Sequence, residues 1–302
     1  MDLRRIRHFS VLAETLNFSR AAERLHIAQP ALSVSIQKLE TELGTKLFDR
    51  TSTGVQLTAS GQAALIEARR LLYHGEQLVR LARDATMGTG GRLRIGFVGS
   101  AIYRLLPSLI PPFRAQYPGV ELVLRELTST RIIQQLAEDG IDIGLLRTPL
   151  LQQTSATLLT LQRDRFVAAL PPAHPLAARE PLALGDLRAE PFIMYSPDDA
   201  SGLQGAAMAA CQAVGFVPEV AQEAIQIATV VALVESGLGV ALVPEVMRGH
   251  RADQVVYRDL VDLPDSVQTT LALAWQEGTE SPAAERFIAT ARALVNSAEA
   301  GI

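Results

Sequence analysis

A proline at position 30 and a glycine at position 44 bracket the stretch that constrains this chain most: Gln29-Pro30-Ala31-Leu32-Ser33-Val34-Ser35-Ile36-Gln37-Lys38-Leu39-Glu40-Thr41-Glu42-Leu43. Proline breaks a helix interior but is tolerated in a first turn, where its missing N–H had no intrahelical partner anyway. Glycine takes up the left-handed conformation that stops a helix. A helix is therefore expected over 29–43. Leu32, Ile36, Leu39 and Leu43 recur along it at i, i+4, i+7 and i+11 as one apolar stripe. The opposite face centres on Val34, flanked by Pro30, Gln37 and Lys38, with Ser33 at its margin. It offers amides, a hydroxyl, methyls and one cation, with no carboxylate before Glu40. Base-pair edges present donors, acceptors and thymine methyls, so such a face suits the major groove.

The flanking segments complete a small domain. Leu3, Ile6, Phe9, Leu12 and Ala13 recur at helical spacing, and that helix should end before Asn17. Ser19 can cap the next helix, whose Ala21, Ala22 and Leu25 point inward. After Gly44, residues 47–50 and 55–57 read as strands around a turn at 51–54, a two-stranded wing. Arg50 and Thr51 stand where such a wing meets phosphate. Residues 1–60 hold 8 Lys/Arg against 6 Asp/Glu, or +2, and the remaining 20 against 26 give −6, which together make the net −4. That balance excludes a protein that coats nucleic acid non-specifically and fits a mildly basic head on an acidic body.

Thr58 is a plausible N-cap for a long helix. Between Leu65 and Met87 there is no proline and Gly75 is the sole glycine. Leu65, Leu72, Val79 and Ala82, with Gln62 and Ala68 between them, approximate a seven-residue repeat, the pattern of a helix packed on a partner helix. Residues 86–91, with three glycines, form the expected hinge. Beyond it strands (92–98, 120–126, 141–146, 166–170, 192–195, 217–222, 240–243, 269–275) alternate with helices (103–117, 129–139, 202–214, 226–236, 282–298). Repeated βαβ units imply parallel sheets. The late return strand implies two lobes with chain crossings near Arg163 and Pro264. The expected domains are a winged head over 1–58, a linker helix over 59–88 and a body over 89–302. Lobe I of the body takes about 92–163 and 267–302, lobe II about 164–266. Small ligands bind clefts at the carboxyl ends of such strands.

Catalytic machinery is not visible. The histidines at 8, 26, 74, 174 and 250 have no metal-ligand spacing. Gly96-Phe97-Val98-Gly99-Ser100 is neither a nucleophile elbow nor a phosphate loop, and Ser100 has no evident base. No enzyme activity, metal or cofactor is expected. Cys211 is the sole cysteine, so no intrachain disulfide can form and a reducing compartment is the natural reading. The N-terminus has charges without an apolar run, and the window 230–244 is broken by Glu235 and two glycines, so a cytoplasmic protein without membrane contact is expected. The loop at Ser100 reads better as an anion site, because helix starts offer free N–H groups. Thr128 and Ser129 open the next helix in the same way, and Arg147 at a strand end adds a cation. Together they suggest a receptor for a small acid.

The run Ala21-Ala22-Glu23-Arg24-Leu25, then Gln29-Pro30-Ala31-Leu32-Ser33, Ile36-Gln37-Lys38-Leu39-Glu40, Leu43-Gly44, Leu47-Phe48-Asp49-Arg50, Gly54, Leu57-Thr58 and Gly61 resembles the LysR-type transcriptional regulators nearly position for position. The resemblance implies a multidomain α+β chain: a winged helix-turn-helix, a long dimerising linker helix and a two-lobed α/β effector domain built like periplasmic solute-binding proteins. It also implies double-stranded operator DNA and a small acidic effector as partners. The homo-oligomer it implies is a dimer through the linker helix, extending to a tetramer. Phe18, Ser19, Gln29, Pro30, Ser33, Val34, Gln37, Lys38, Arg50 and Thr51 are then expected at the DNA, and Ser100, Ala101, Thr128, Ser129, Arg147, Ser201, Gly202 and Gln226 at the effector. Many members carry arginine where this chain has Val34, so contact with a thymine methyl is expected there instead. The effector region is similar to the branch that governs aromatic catabolism and responds to muconate-type diacids. That likeness rests on Arg94-Ile95-Gly96-Phe97-Val98, Ser100, Leu106-Pro107, Phe113-Arg114, Tyr117-Pro118, Gly140-Ile141-Asp142 and Arg147. Leu145-Leu146 and Thr128 depart from the branch. A two-lobed small-acid binding protein is opposed by residues 1–60, and an α/β enzyme by the missing nucleophile–base or metal set.

Overall fold

Asp2 starts the chain's first helix, α1 (Leu3–Thr15), by accepting the Arg4 N–H on its side chain at 2.8 Å. The computed structural model describes residues 2–51, 54–87, 91–250, 253–264, 267–278 and 281–299. It divides into one unit of residues 1–90 with Glu138–Gly140, and a second unit of the remainder.

In the first unit α2 (Phe18–Arg24) is capped by Asn17, whose side chain accepts the Arg20 N–H at 3.0 Å. This corrects the expected cap at Ser19, which is exposed within the first turn; the asparagine before it already reaches the free amide. The next helix, α3 (Gln29–Leu43), ends at Gly44 in the left-handed conformation with φ 67°. Leu32, Ile36 and Leu39 are buried with Ile6, Phe9, Leu12, Ala21 and Ala22. Leu43, expected in the same stripe, is 42% exposed, since it lies past the last turn that the core covers. Glu40 is buried there instead. Its carboxylate accepts the Leu47 N–H at 2.9 Å and the Phe48 N–H at 3.3 Å and pairs with Lys46 at 3.1 Å. It thereby ties α3 to the hairpin of β1 (Phe48–Thr51) and β2 (Gly54–Leu57), which pair antiparallel. The turn positions 52–53 and the hinge positions 88–90 lie outside the described residues.

Thr58 caps α4 (Ala59–Met87): its hydroxyl accepts the Gly61 N–H at 2.9 Å and donates to the Lys46 carbonyl at 2.7 Å. Leu65, Ala68 and Leu72 pack on the head's own core. The repeat is therefore not one uninterrupted partner-facing seam, because its N-terminal part already serves this chain. Among the described side chains of α4, the large apolar ones that are exposed are Ile66, Leu71, Leu78 and Val79.

In the second unit β3 (Gly91–Phe97) leads through a 3-10 turn (Gly99–Ile102) and α5 (Leu105–Gln116) to β4 (Val120–Glu126), then α6 (Ser129–Ala137) and β5 (Ile143–Thr148). Next come β6 (Thr157–Leu170), β7 (Pro191–Tyr195), α7 (Ser201–Ala213), β8 (Glu219–Ala224), α8 (Ile227–Glu235), β9 (Ala241–Pro244), β10 (Val256–Arg258), β11 (Gln268–Trp275) and α9 (Pro282–Glu299). One sheet runs β10–β6–β11–β5–β3–β4, with β9 also on β6. It is mixed rather than parallel: β3 pairs parallel with β4 and β5, whereas β11 runs antiparallel to both β5 and β6. The strand expected at 166–170 begins at Thr157, because backbone pairing with β11 holds a stretch whose charges (Arg163, Asp164, Arg165) hid it. Along its last residues β6 pairs with β9 and with β10, a strand not anticipated. The second crossing, expected near Pro264, adjoins positions 265–266, which lie outside the described residues.

The second unit has two separate cores. The first gathers Leu93, Ile95, Phe113, Ile132, Ile143 and Phe287, and the second Phe166, Phe192, Tyr195, Val230 and Val243. Leu145 and Leu146 are fully buried in the first, so their departure from the muconate-type pattern is a core substitution. A Cβ on Gly144 would come within 2.4 Å of Ile132, which is why α6 can lie close on the sheet.

His8 is buried, with Nδ1 at 2.8 Å from Ser35 Oγ on the inner side of α3. Desolvation, helped by Arg4, lowers its pKa from 6.5. The unfolded chain takes up a proton there that the folded chain resists. Stability should therefore be full above pH 6.5 and fall as the pH drops below it. Denaturant titrations at pH 7.5 and 5.5 should show this loss, and His8→Gln should shrink the difference. Glu40→Gln should lower stability by about 1–3 kcal/mol, since the amide cannot accept both N–H groups and hold Lys46 as a carboxylate does.

Candidate nucleic-acid face and ligand cleft

With Leu32, Ile36 and Leu39 fixed in the core, α3 turns Gln29, Pro30, Val34, Gln37 and Lys38 to solvent, and Ser33 is half-buried. Val34 is 49% exposed at the middle of this face. Phe18 is half-buried and packs on the head's core, which anchors α2, while Ser19 beside it is exposed. Arg50 and Thr51 lie on β1 opposite Val55 and Gly54, and their side chains are outside the described ones. The surface is a shallow, polar-and-methyl face on a rigid helix. It can hydrogen-bond and make apolar contact, but it has no group positioned for catalysis.

The second unit contains a cleft whose empty space, open solvent included, is about 580 Å³. One wall is formed by the carboxyl ends of β3, β4 and β5, the other by the starts of α7 and α8. Ser100, Thr128, Ser129, Arg147, Ser201, Gly202 and Gln226 all line it, brought together from across the sequence. Ala101 does not: it is fully buried, and its N–H donates to the Val98 carbonyl at 2.8 Å within the 3-10 turn. That amide is spent, which removes Ala101 from the expected set.

Arg147, the cation expected at the end of β5, is buried and paired within the protein. Only 4% exposed, it donates from Nη2 to Asp164 Oδ2 at 2.8 Å, from Nε to Ser100 Oγ at 2.9 Å and from Nη1 to Thr269 Oγ1 at 3.3 Å. Its backbone N–H donates to Ser129 Oγ at 3.1 Å. Burial pulls its pKa down from the usual arginine value, and the Asp164 carboxylate draws it back up. A charge this deep requires a partner, and β6 supplies one by carrying Asp164 into the sheet beside it. Tyr195 lies deep in the lobe II core, donating its hydroxyl to the Leu242 carbonyl at 2.8 Å, and burial raises its pKa.

Three contributors escaped sequence reasoning. Asp164 sits in the charged stretch read as a connection. Pro149 follows a cis peptide after β5, and only glycine fits at 202, because a Cβ there would lie 1.9 Å from the Pro149 carbonyl oxygen. Asp199, just before α7, resembles an ordinary helix-start residue in sequence but lines the cleft. Ala200 and Gln226, which precede α7 and α8, make no side-chain cap bond. Cys211 is buried within the second core, and burial pushes its thiol up to about 12, which suits packing rather than reactivity. Among the described residues no cluster of three or more His, Cys, Asp or Glu is arranged to hold a metal, and no helix is long and apolar enough to cross a membrane.

Comparison with known proteins gives two family matches. Residues 3–62 match the bacterial regulatory helix-turn-helix protein, lysR family, and residues 87–296 the LysR substrate binding domain. The chain is 37% identical over 290 residues to the HTH-type transcriptional regulator AlsR of Bacillus subtilis, covering 95% of this chain and 94% of that one. It is also 37% identical over 292 residues to the HTH-type transcriptional regulator CatR of Pseudomonas putida, covering 95% and 97%. The fold matches the crystal structure of CbnR, a LysR family transcriptional regulator, with a TM-score of 0.75 at 24% identity over 98% of this chain and 99% of that one. CbnR has also been solved in complex with its target DNA.

Asp164→Asn should destabilise the second unit by about 3–5 kcal/mol by leaving Arg147 buried without its counter-charge. The double variant Asp164→Asn/Arg147→Met should recover much of that loss in denaturant titrations. A single variant as stable as the parent would show that the pair contributes nothing.

Proposed function

The chain belongs to the LysR family of bacterial DNA-binding transcriptional regulators, not to a family of enzymes, and from that premise we propose that α3 reads operator DNA while the cleft senses a small carboxylic acid. What supports the first half is the α3 face, exposed and free of carboxylates while its other side is locked in the core. On this reading Gln29, Pro30, Ser33, Val34, Gln37 and Lys38 enter the major groove, and Phe18, Ser19, Arg50 and Thr51 approach the backbone. Gln29 and Gln37 read base edges, and Val34 sits against a thymine methyl. The proposed division is a DNA-binding head over 1–58, a linker helix over 59–88 and an effector-binding domain over 89–302.

The working form is a homo-oligomer, a dimer through α4 that extends to a tetramer. Two heads on two half-sites raise an affinity that one head with so little positive charge would lack. The exposed Ile66, Leu71, Leu78 and Val79 support α4 as the contact. Because the operator lies in the cytoplasm, so does the protein.

The acid binds between the lobes and changes their closure, so that the bound dimers alter half-site spacing or DNA bending. A muconate-type diacid is the finer form of this reading, supported by the resemblance of the effector region, through Arg94 to Val98, Ser100 and Arg147, to the muconate-responsive branch. The head argues against a free-standing solute-binding protein, and the cleft's lack of a nucleophile–base pair argues against turnover.

Gln29→Ala should weaken binding to a specific operator by about 1–3 kcal/mol and leave non-specific binding nearly unchanged. Fluorescence anisotropy on both DNAs measures this, and equal losses would remove Gln29 from base reading. Ser129→Ala should reduce the thermal shift produced by the effector; an undiminished shift would place the acid elsewhere.

A further inference from the structure

The charge balance of the cleft selects among small acids, an inference that rests on the small-acid sensor reading above and replaces its muconate-type form. Among the described residues Arg147 is the only Lys or Arg that lines the cleft, and Asp164 neutralises it at 2.8 Å. Asp199 is the only acid that lines it, and among the described residues its carboxylate has no hydrogen bond or ion pair. The lining therefore carries uncompensated negative charge, which a dianion would meet as repulsion.

The opposite wall is made of neutral donors. Ser100 accepts from Arg147 Nε, Ser129 from the Arg147 N–H, and Thr128 from the Arg131 N–H. Each oxygen already fills an acceptor role, so each hydroxyl has its own proton left to donate. Two of these O–H groups open α6 and the third lies in the 3-10 turn after β3, and together they can hold one carboxylate without a lysine or arginine.

We propose that the cleft is built for a small zwitterion. Its carboxylate rests on the hydroxyls of Ser100, Thr128 and Ser129, its ammonium group faces Asp199, and diacids are rejected.

The test titrates the full-length protein by calorimetry with three sets of probes: the α-amino acids with β-alanine and 4-aminobutyrate, the 2-hydroxy acids of the same skeletons, and succinate and muconate. Operator binding is followed in parallel. At least one amino acid should bind about tenfold or more tightly than its hydroxy analogue, the worth of one charge-assisted contact, and neither diacid should bind. Asp199→Asn should erase that preference and admit a diacid, with its thermal melt confirming that the variant is folded. Binding of a diacid to the parent protein, or an amino acid bound equally well by Asp199→Asn, overturns the zwitterion proposal. If that diacid alters operator binding, the sensor reading stands without it. An amino acid that binds with the stated preference yet leaves operator binding unchanged supports the cleft's ligand class and overturns the sensor reading. Silence from all three sets overturns both.

Discussion

A guanidinium cannot lie 4% exposed inside a protein without an answering charge, and the body of this chain is arranged around supplying one to Arg147. Arg147 sits near the end of β5, Asp164 in the middle of β6 and Thr269 at the start of β11, so the three strands of the mixed sheet that meet there each give one member of the cluster. Ser100 and Ser129 join it from the segments after β3 and β4. The same bonds that neutralise the charge orient two hydroxyls at the cleft. Stability and recognition thus share one network, and its members are not separable contributions.

The head solves a smaller version of the same problem. A winged helix-turn-helix must hold a reading helix rigid while exposing half of it, and apolar packing by Leu32, Ile36 and Leu39 fixes only one side. Two buried polar contacts add direction. Glu40 gathers the amides that open the wing, and His8 reaches Ser35 on the inner side of the helix. Each is a group that water would otherwise hydrate, so each specifies a single arrangement more sharply than another leucine would.

The cleft owes its shape to backbone approaches. Gly202 meets the Pro149 carbonyl so closely that no side chain fits, which lets the first turn of α7 reach the connection after β5. Gly99 likewise leaves room for oxygen atoms of Glu126 and Gln226. The polar groups therefore converge on a small volume, the condition under which a few hydroxyls and one carboxylate can discriminate between acids.

The sequence alone determined whatever depends on neighbours a few positions apart. The proline and glycine that bracket α3, its apolar stripe, the hairpin after it and the order of strands and helices in the body are local, periodic facts. They carried the family and most of the elements. Several cleft residues were also legible: Ser100, Thr128 and Ser129 sit at strand ends and helix starts, and Ser201 and Gly202 followed from the family resemblance. Tertiary structure decided what depends on distant partners. Asp164 lies 17 positions from Arg147 in a charged stretch with no periodic signal, so the pairing that cancels the arginine's charge exists only once β6 and β11 join the sheet. The mixed direction of that sheet, the burial of Ala101 and the use of half the α4 repeat by the head have the same origin. A side chain's chemistry is written in its type, but its charge state, exposure and availability are set by what the fold brings beside it.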